Sequence, residues 1–337
     1  MKKTKQYISL LLAAFMAAGL SSCIKEDYAG ASDETATVNL VFDTRANGDA
    51  TAPVDENEGI KTMRVYITDE QGNVEFNIYQ EYTDNQAQRT LTILGVPVGT
   101  KNFYVIANEA SVGLGEAQLG GDAVTQIDDE FLNQIITNPD GNAYFPKMRN
   151  QIGGLGLPIT GMKTDVVLSE GSDQTIQIDV KHAVAKVVLN VTNTSSEAIG
   201  LTGFSLGEFF VNKTYLFPDR VTIPAGISSE GYSQTFGAPV TIPVNNEDTP
   251  VKVFTCYFYE TPVGEEYENR FTLKLENNNG LDLEAKNFLT GVTAIERNTQ
   301  VVINATISRE TAVDVTVTLN WRVKEWDTES IDVPAFD

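Results

Sequence analysis

The chain has few of the residues from which catalytic and metal sites are usually built. Its 337 residues include two cysteines and one histidine, His182. A single histidine cannot supply a site that needs two histidine ligands, and no serine context for a catalytic triad accompanies it. The sequence therefore predicts no enzyme, no metal site and no bound cofactor. It favours a packing role for His182, on the surface or between domains.

Basic residues are also scarce. The chain has 24 lysines and arginines against 46 aspartates and glutamates, a formal net charge of −22. A chain this acidic repels the phosphate backbone, which excludes nucleic acid as a partner. The acidic residues are spread along the chain, which is typical of a solvated, self-repelling surface rather than of an acidic binding site.

A hydrophobic run long enough to span a membrane is lacking near the N terminus. Residues 8–20 form a mainly apolar run of 13 residues after three lysines. At about 1.5 Å per residue, such a helix is too short for a hydrocarbon core about 30 Å thick. The order of basic residues, short apolar run and small residues predicts a cleaved secretory signal peptide over residues 1–22.

The residues around Cys23 resemble the lipobox of bacterial lipoproteins, with a leucine three positions earlier and two serines between. The resemblance implies that Cys23 takes acyl chains. The short acidic run after it, with Glu26 and Asp27, resembles the signal that sends Bacteroidota lipoproteins to the outer membrane. Several chains on one cysteine anchor firmly, since each buried CH₂ adds about 0.8 kcal/mol. Loss of residues 1–22, which carry three lysines and no acid, changes the net charge to −25. With Cys23 lipidated, the chain cannot form an intramolecular disulfide, because it has two cysteines.

Residues 37–44 predict an isolated β-strand. Val38, Leu40 and Phe42 alternate with residues that point the other way, the pattern of a half-buried strand. The following residues, 46–59, show no periodicity and predict a loop.

A candidate cleavage site lies at the end of this strand. Arg45 and Ala46 stand where the strand meets the loop, and loops of this kind are where proteases cut. Cleavage after Arg45 would free the strand and leave an open apolar groove. The alternative that Arg45 is an ordinary exposed arginine stays open.

Short runs rich in β-branched and aromatic residues, separated by turn residues, fill the rest of the chain. They predict an all-β protein with two tandem antiparallel sandwich domains and a boundary near residue 180. Residues 122–136 form the one stretch with helical character, a short insertion in the first domain. The predicted organisation is a signal peptide (residues 1–22), a lipidated propeptide with a removable strand (23–45), an N-terminal sandwich (46–180) and a C-terminal sandwich (181–337).

The C-terminal tail carries a second isolated apolar pattern. Ile331, Val333 and Phe336 follow the strand that should close the second sandwich. A removable strand and a spare tail in one chain suggest head-to-tail strand addition, in which main-chain hydrogen bonds give affinity and alternate side chains give register. Because such a contact does not close on itself, it builds a filament.

Five short segments, spread in order over the chain, resemble FimA-type major fimbrillins, the subunits of Bacteroidota type V pili. They are residues 60–67, 103–108, 181–188, 294–298 and 323–326. The resemblance implies sandwiches of transthyretin-like or Greek-key type and lipid on Cys23 for transit. It also implies an arginine-specific protease that cuts after Arg45, and a vacated groove that accepts a neighbouring subunit's strand. The implied product is a fimbria on the cell surface that supports adhesion.

Two questions stay open at the level of sequence. The segments do not distinguish a stalk, tip or anchor subunit. The alternative function is an uncleaved surface lipoprotein that binds a glycan or another ligand.

Overall fold

The computed structural model describes residues 34–44, 58–121, 123–137, 154–217, 224, 226–244, 248–262, 270–281, 283, 285–288, 294–309 and 315–325. Regular structure in these residues is almost entirely β, so the predicted all-β class is confirmed.

Within the described residues, the first part of the chain contributes eight strands and three short helical turns. The strands are β1 (Thr35–Asp43), β2 (Ile60–Thr68), β3 (Val74–Gln86), β4 (Gln88–Pro97), β5 (Gly99–Ala107), β6 (Ile135–Thr137), β7 (Ile159–Leu168) and β8 (Asp173–His182). The helical turns are a 3₁₀ turn at Glu109–Val112, α1 (Glu116–Leu119) and α2 (Asp129–Leu132).

Seven of these strands are hydrogen-bonded in the order β3-β2-β5-β7-β8-β1-β4. β8 joins the two parts of this sheet. Its last residues, 180–182, pair antiparallel with β7, whereas residues 173–179 pair in parallel with β1. Buried apolar side chains from both parts form one core, so the sheet folds over into two layers, with β8-β1-β4 as one of them.

The described residues of the second part of the chain form eleven strands. They are β9 (Ala185–Asn193), β10 (Ile199–Val211), β11 (Lys213–Tyr215), β12 (Ser229–Ile242), β13 (Val251–Phe258), β14 (Thr261–Pro262), β15 (Thr272–Asn277), β16 (Lys286–Asn287), β17 (Ala294–Ile295), β18 (Thr299–Arg309) and β19 (Val315–Glu325). Two four-stranded sheets, β12-β10-β15-β16 and β13-β9-β18-β19, enclose a second core. Phe209 lies in it among the rings of Phe210, Phe258, Phe271 and Phe288, with centroids 4.3–5.8 Å away.

The predicted helical stretch is shorter than expected. Of residues 122–136, the structure describes a single turn of helix, α2, capped where the Asp128 carboxylate accepts a hydrogen bond from the backbone N–H of Phe131. Ile136 lies instead in β6, which pairs with β11 from the second part of the chain. Strand pairing across the fold thus outweighs the local helical tendency.

The two parts of the chain are tied together at several points. Besides the β6–β11 pairing, the Thr160 hydroxyl donates a 2.8 Å hydrogen bond to the carbonyl of Leu216. Tyr66, Tyr104 and Ile106, on the far side of β2 and β5, belong to the second core rather than the first. The predicted division at residue 180 lies within β8 and stays a prediction.

A buried arginine fixes the segment that carries β11. Arg297 donates hydrogen bonds to the Glu260 carboxylate and to the carbonyls of Tyr215 and Leu216. Burial by itself raises the pKa of the Glu260 carboxyl, but hydrogen bonds from Arg297 and Thr214 outweigh burial and hold that pKa below its ordinary value. The ion pair therefore favours the folded state while Glu260 is charged.

Glu260→Gln is expected to flatten the acid dependence of stability. A carboxyl whose pKa is lowered by folding stabilises above its unfolded pKa, about 4.3, and this stabilisation is lost as the pH falls through the folded pKa. The wild-type chain should therefore lose stability below about pH 4.3 more steeply than the variant. At pH 7 the variant should be less stable by about 1–3 kcal/mol. Urea unfolding at a series of pH values measures both, with Glu276→Gln, an exposed carboxylate in β15, as control. Parallel pH profiles for the wild type and Glu260→Gln would contradict the expectation.

Candidate functional site

β1 is a central strand whose two neighbours are remote in sequence. On one side it pairs in parallel with β8, residues 37–43 against 173–179. On the other side it pairs antiparallel with β4, Thr35 facing Pro97 and Asp43 facing Gln88, with a bulge between Ala36 and Val38. Both edges of β1 are therefore hydrogen-bonded within the sheet.

The inner face of β1 is fully buried. Val38, Leu40 and Phe42 are each 0 % exposed, and Ala36 is 3 % exposed. The structure thus places the three residues of the predicted removable strand side by side in the first core. Burying each of the larger side chains contributes about 1.5–3 kcal/mol.

The outer face of β1 is polar and held by its neighbours. The side-chain amide of Asn39 donates to the Asp173 carboxylate on β8, and the Thr92 hydroxyl on β4 donates a 2.7 Å hydrogen bond to the Asn39 carbonyl oxygen. Beyond the strand, Thr44 is buried and its N–H bonds the carbonyl of Ala87. Arg45 follows directly.

Removal of β1 would leave a groove with defined walls and floor. Its walls are the backbones of β4 and β8, whose hydrogen-bonding groups face β1. Its floor comes from buried residues of the opposite layer. These include Met63, Val65, Ile67, Phe103 and Val105. An apolar floor between two unpaired strand edges is a site for strand addition.

The residues for which cleavage, lipidation and donation are predicted lie outside the described part of the chain. These are Cys23, Arg45 and Ala46 near the N terminus and Ile331, Val333 and Phe336 in the C-terminal tail. Their roles stay predictions.

The chain resumes at Glu58 with a segment fixed by side chains from elsewhere. Asn108, in left-handed backbone conformation with φ 58°, donates to the Gly59 carbonyl and accepts hydrogen bonds from the N–H groups of Lys61 and Thr62. The N–H of Gly59 also donates to the Asn85 side chain, at 3.1 Å. The start of β2 is thus held independently of β1.

A buried polar cluster ties this segment to the second part of the chain. The Glu58 carboxylate accepts hydrogen bonds from the Lys186 ammonium at 2.6 Å and the Tyr257 hydroxyl at 3.0 Å. The Glu58 carbonyl lies 3.0 Å from Nε2 of His182, whose Nδ1 lies 3.0 Å from the Asn298 side chain. His182 therefore packs at the junction between the two parts of the chain.

Sequence reasoning missed the buried polar residues that hold the start of β2 in place. Glu58 and Asn108 stand next to loops and carry no pattern that marks them as buried. Arg89 did carry a signal, because it falls in phase with the inward residues Leu91 and Ile93 of β4. An arginine at an inward position of a strand predicts a buried partner.

Three further findings bear on function. Among the residues that the structure describes, no cluster of histidine, cysteine, aspartate and glutamate is arranged to hold a metal ion. Within the same residues, no helix is long and apolar enough to cross a membrane. Cys256 is a buried core residue of β13.

The fold is therefore that of a β-sandwich protein with a central strand that precedes its neighbours in the chain. Solved structures share this fold, among them the following three. A candidate cell adhesion protein from Parabacteroides distasonis has a TM-score of 0.56 at 13 % identity, covering 89 % of this chain and 99 % of its own. The tip fimbrial protein Mfa3 from Porphyromonas gingivalis, with a C-terminal truncation, has a TM-score of 0.55 at 14 % identity, covering 86 % and 100 %. The fimbrillin FimA from Porphyromonas gingivalis has a TM-score of 0.53 at 12 % identity, covering 89 % and 99 %.

A family model for fimbrillin-A associated anchor proteins Mfa1 and Mfa2 matches residues 31–332. The chain belongs to this family, and the predicted resemblance to fimbrillins is confirmed. No curated protein sequence matches the chain. At identities below 15 %, the solved structures establish the fold alone.

Shortening a side chain is expected to lower the stability of the chain on the inner face of β1 but not on its outer face. Leu40→Ala should lower the stability of the intact chain by about 2–5 kcal/mol, because the side chain is fully buried. Val41→Ala, the next residue on the partly exposed face, should change stability by about 0.5 kcal/mol or less. Urea unfolding of the intact chain measures both. Equal losses would contradict the observed orientation of the strand.

Proposed function

We propose that this chain is a structural subunit of a surface pilus that polymerises by exchanging a β-strand between subunits. The place of β1 in chain and sheet carries the proposal. β1 precedes every other described strand, yet it lies between β4 and β8. One cut between β1 and β2 therefore separates a central strand from the fold and leaves every other chain connection intact.

The proposed maturation begins with export. The signal peptide of residues 1–22 is removed and Cys23 receives lipid, which carries the precursor to the outer membrane and the cell surface. An arginine-specific protease then cuts after Arg45, and Ala46 becomes the new N terminus. The structure supports this cut because Arg45 directly follows Thr44, the residue at which the contacts of β1 with β4 end.

The groove supplies the driving force for assembly. Loss of β1 would expose the floor under Val38, Leu40 and Phe42 and leave β4 and β8 each with an unpaired edge. Each large apolar side chain that refills the groove contributes about 1.5–3 kcal/mol, and each backbone hydrogen bond about 0.5–1.5 kcal/mol. A neighbouring subunit's strand of the same pattern can therefore replace β1.

The donor is assigned to the C-terminal region. Its tail carries the alternating residues Ile331, Val333 and Phe336. The preceding strand, β19, is a second source, since it pairs with β18 alone among the described strands of its sheet. Residues 316–321 also repeat the order of residues 37–42 in β1, with valine, leucine and an aromatic residue at alternate positions.

Partners and location follow from the family. Its model describes anchor proteins, and the structures with the same fold include a tip fimbrial protein and a fimbrillin. These support related pilus subunits as partners and the fimbria at the cell surface as the location. A contact between the groove of one subunit and the C-terminal region of the next is heterologous and builds a filament. This is the role of a structural protein rather than of an enzyme.

Arg45→Ala is expected to block maturation. Without the cleavage site, β1 stays in place, so surface material should keep lipidated Cys23 as its first residue. Polymers should fall at least tenfold, because β1 still occupies the groove that the donor strand needs. Mass spectrometry of the N terminus and electrophoresis of unheated samples measure these outcomes. Arg45→Lys tests whether the protease requires arginine.

The control is Asp49→Ala, in the same segment but beyond the proposed cut, which should mature normally. Wild-type material that begins at Cys23 throughout would contradict the proposal and favour the uncleaved, ligand-binding lipoprotein.

Deletion of residues 327–337 tests the donor. If the tail fills the groove, processed subunits lacking it should polymerise at least tenfold less, because they lose three apolar side chains of about 1.5–3 kcal/mol each. Undiminished polymers would exclude the tail. Leu319→Asp then tests β19, with Asn320→Asp at the next, polar position of that strand as control. Unfolding of each variant before cleavage checks that its monomer is folded.

A further inference from the structure

β4 is the wall of the groove that depends most on β1. It lies at the end of the sheet order, so β1 is its one hydrogen-bonded neighbour among the described strands. When β1 leaves, β4 loses that entire ladder. β8, the other wall, keeps its pairing with β7 through residues 180–182.

An empty groove would close unless something holds β4 in place. Neighbouring strands lie about 4.8 Å apart, so β4 and β8 stand about 9.6 Å apart with β1 between them. A shift of β4 by one spacing would let it pair directly with β8 and bury the floor again. A subunit that closes in this way could no longer accept a strand.

Arg89 occupies the position from which β4 can be held. It faces Phe42 across the ladder between β1 and β4, and its side chain is 7 % exposed. Facing residues in an antiparallel pair point to the same side, so the guanidinium enters the sandwich beside the end of β1.

The contacts of Arg89 reach the opposite layer. Nε and Nη2 donate to the carbonyl of Ile60 on β2 at 3.1 and 2.8 Å. Nη2 also donates to the carbonyl of Asp84 at 2.9 Å, and Nη1 lies 2.7 Å from the Asp84 carboxylate. The guanidinium carbon sits 4.0 Å from the centre of the Tyr82 ring.

All of these partners belong to β2 or β3, so they stay in place when β1 is removed. Ile60 is itself in the segment that Asn108 holds through Lys61 and Thr62. Moving β4 by about 4.8 Å would break every one of these hydrogen bonds and leave a buried guanidinium without acceptors, which is strongly unfavourable.

We propose that Arg89 is a positioning residue that keeps β4 one strand width away from β8 after β1 leaves, so that the groove stays open for the incoming strand. This inference rests on the proposed function. Arg89 belongs neither to the strand that leaves nor to the strand that replaces it; it sets the width of the groove that receives the donor.

The test uses the full chain cut after Arg45 by an arginine-specific protease at limiting dose, which leaves β1 bound without a covalent link. A fluorescent peptide of residues 35–44 is added in excess, and its uptake is followed by gel filtration. Arg89→Ala should reduce uptake at least tenfold relative to the cut wild type. Arg89→Lys, which keeps a cation able to donate to Ile60, should recover part of it.

Two control variants distinguish a specific effect of Arg89 from a general loss of stability. Arg270→Ala removes an arginine of the second part of the chain that bonds Ser229. Thr90→Ala alters an exposed position of β4 itself. Both should take up the peptide within twofold of the wild type.

Hydrogen exchange of the β4 amides gives a readout that does not depend on peptide uptake. Arg89→Ala should expose these amides at least tenfold more in the cut chain and change them less than threefold in the intact chain, where β1 still pairs with β4. Equal changes in the two forms, or none in the cut chain, would overturn the role of Arg89. Failure of the cut wild type to take up peptide would instead contradict the proposed function.

Discussion

The structure depends on the double pairing of one strand. β1 buries Val38, Leu40 and Phe42 and hydrogen-bonds along both edges, to β8 on one side and β4 on the other. A central strand is normally locked in place by chain connections on both sides. β1 is joined to the later strands by residues 45–57 alone, so its contribution to the core can be separated from the rest by a single cut. The contacts of β1 with β4 and β8 therefore stabilise the precursor. After the cut, the same contacts can be made by a strand from another subunit.

Buried charged groups outside β1 define which parts of the fold stay behind. Glu58 and Arg89 are each less than 10 % exposed and are paired with ammonium, carboxylate or carbonyl partners. Such pairs add little net stability, because desolvation offsets their attraction, but separating one of them is strongly unfavourable. The buried pairs therefore fix the relative positions of the strands rather than add stability. Around the groove they fix the start of β2 and one wall, while the apolar side chains of β1 supply the energy that a donor must replace.

The second core has a different character. Aromatic rings around Phe209 fill the space between its two sheets, and Arg297 secures the segment of β11 by binding Glu260 and two carbonyls. The pairing of β11 with β6 extends this core to the loops that follow β5. The far face of β2 is covered in the same way, so the layer opposite the groove is supported from behind. The layer opposite the groove is thus held by the second core. The walls β4 and β8, in contrast, depend on the strand that lies between them.

Local sequence determined the strands, because alternation of apolar and polar residues forces a half-buried chain into β structure. Val38, Leu40 and Phe42 could thus be assigned to one face, and the family resemblance could be read from short segments in order. The neighbours of β1 could not be read in this way, since pairing with β8 and β4 is a choice among distant strands with similar patterns. The same holds for β6, where pairing with β11 displaced the expected helix, and for Glu58 and Asn108, whose partners come from other strands. Tertiary structure alone decided these contacts, because a buried polar group is satisfied only by the residues that folding brings within hydrogen-bonding distance.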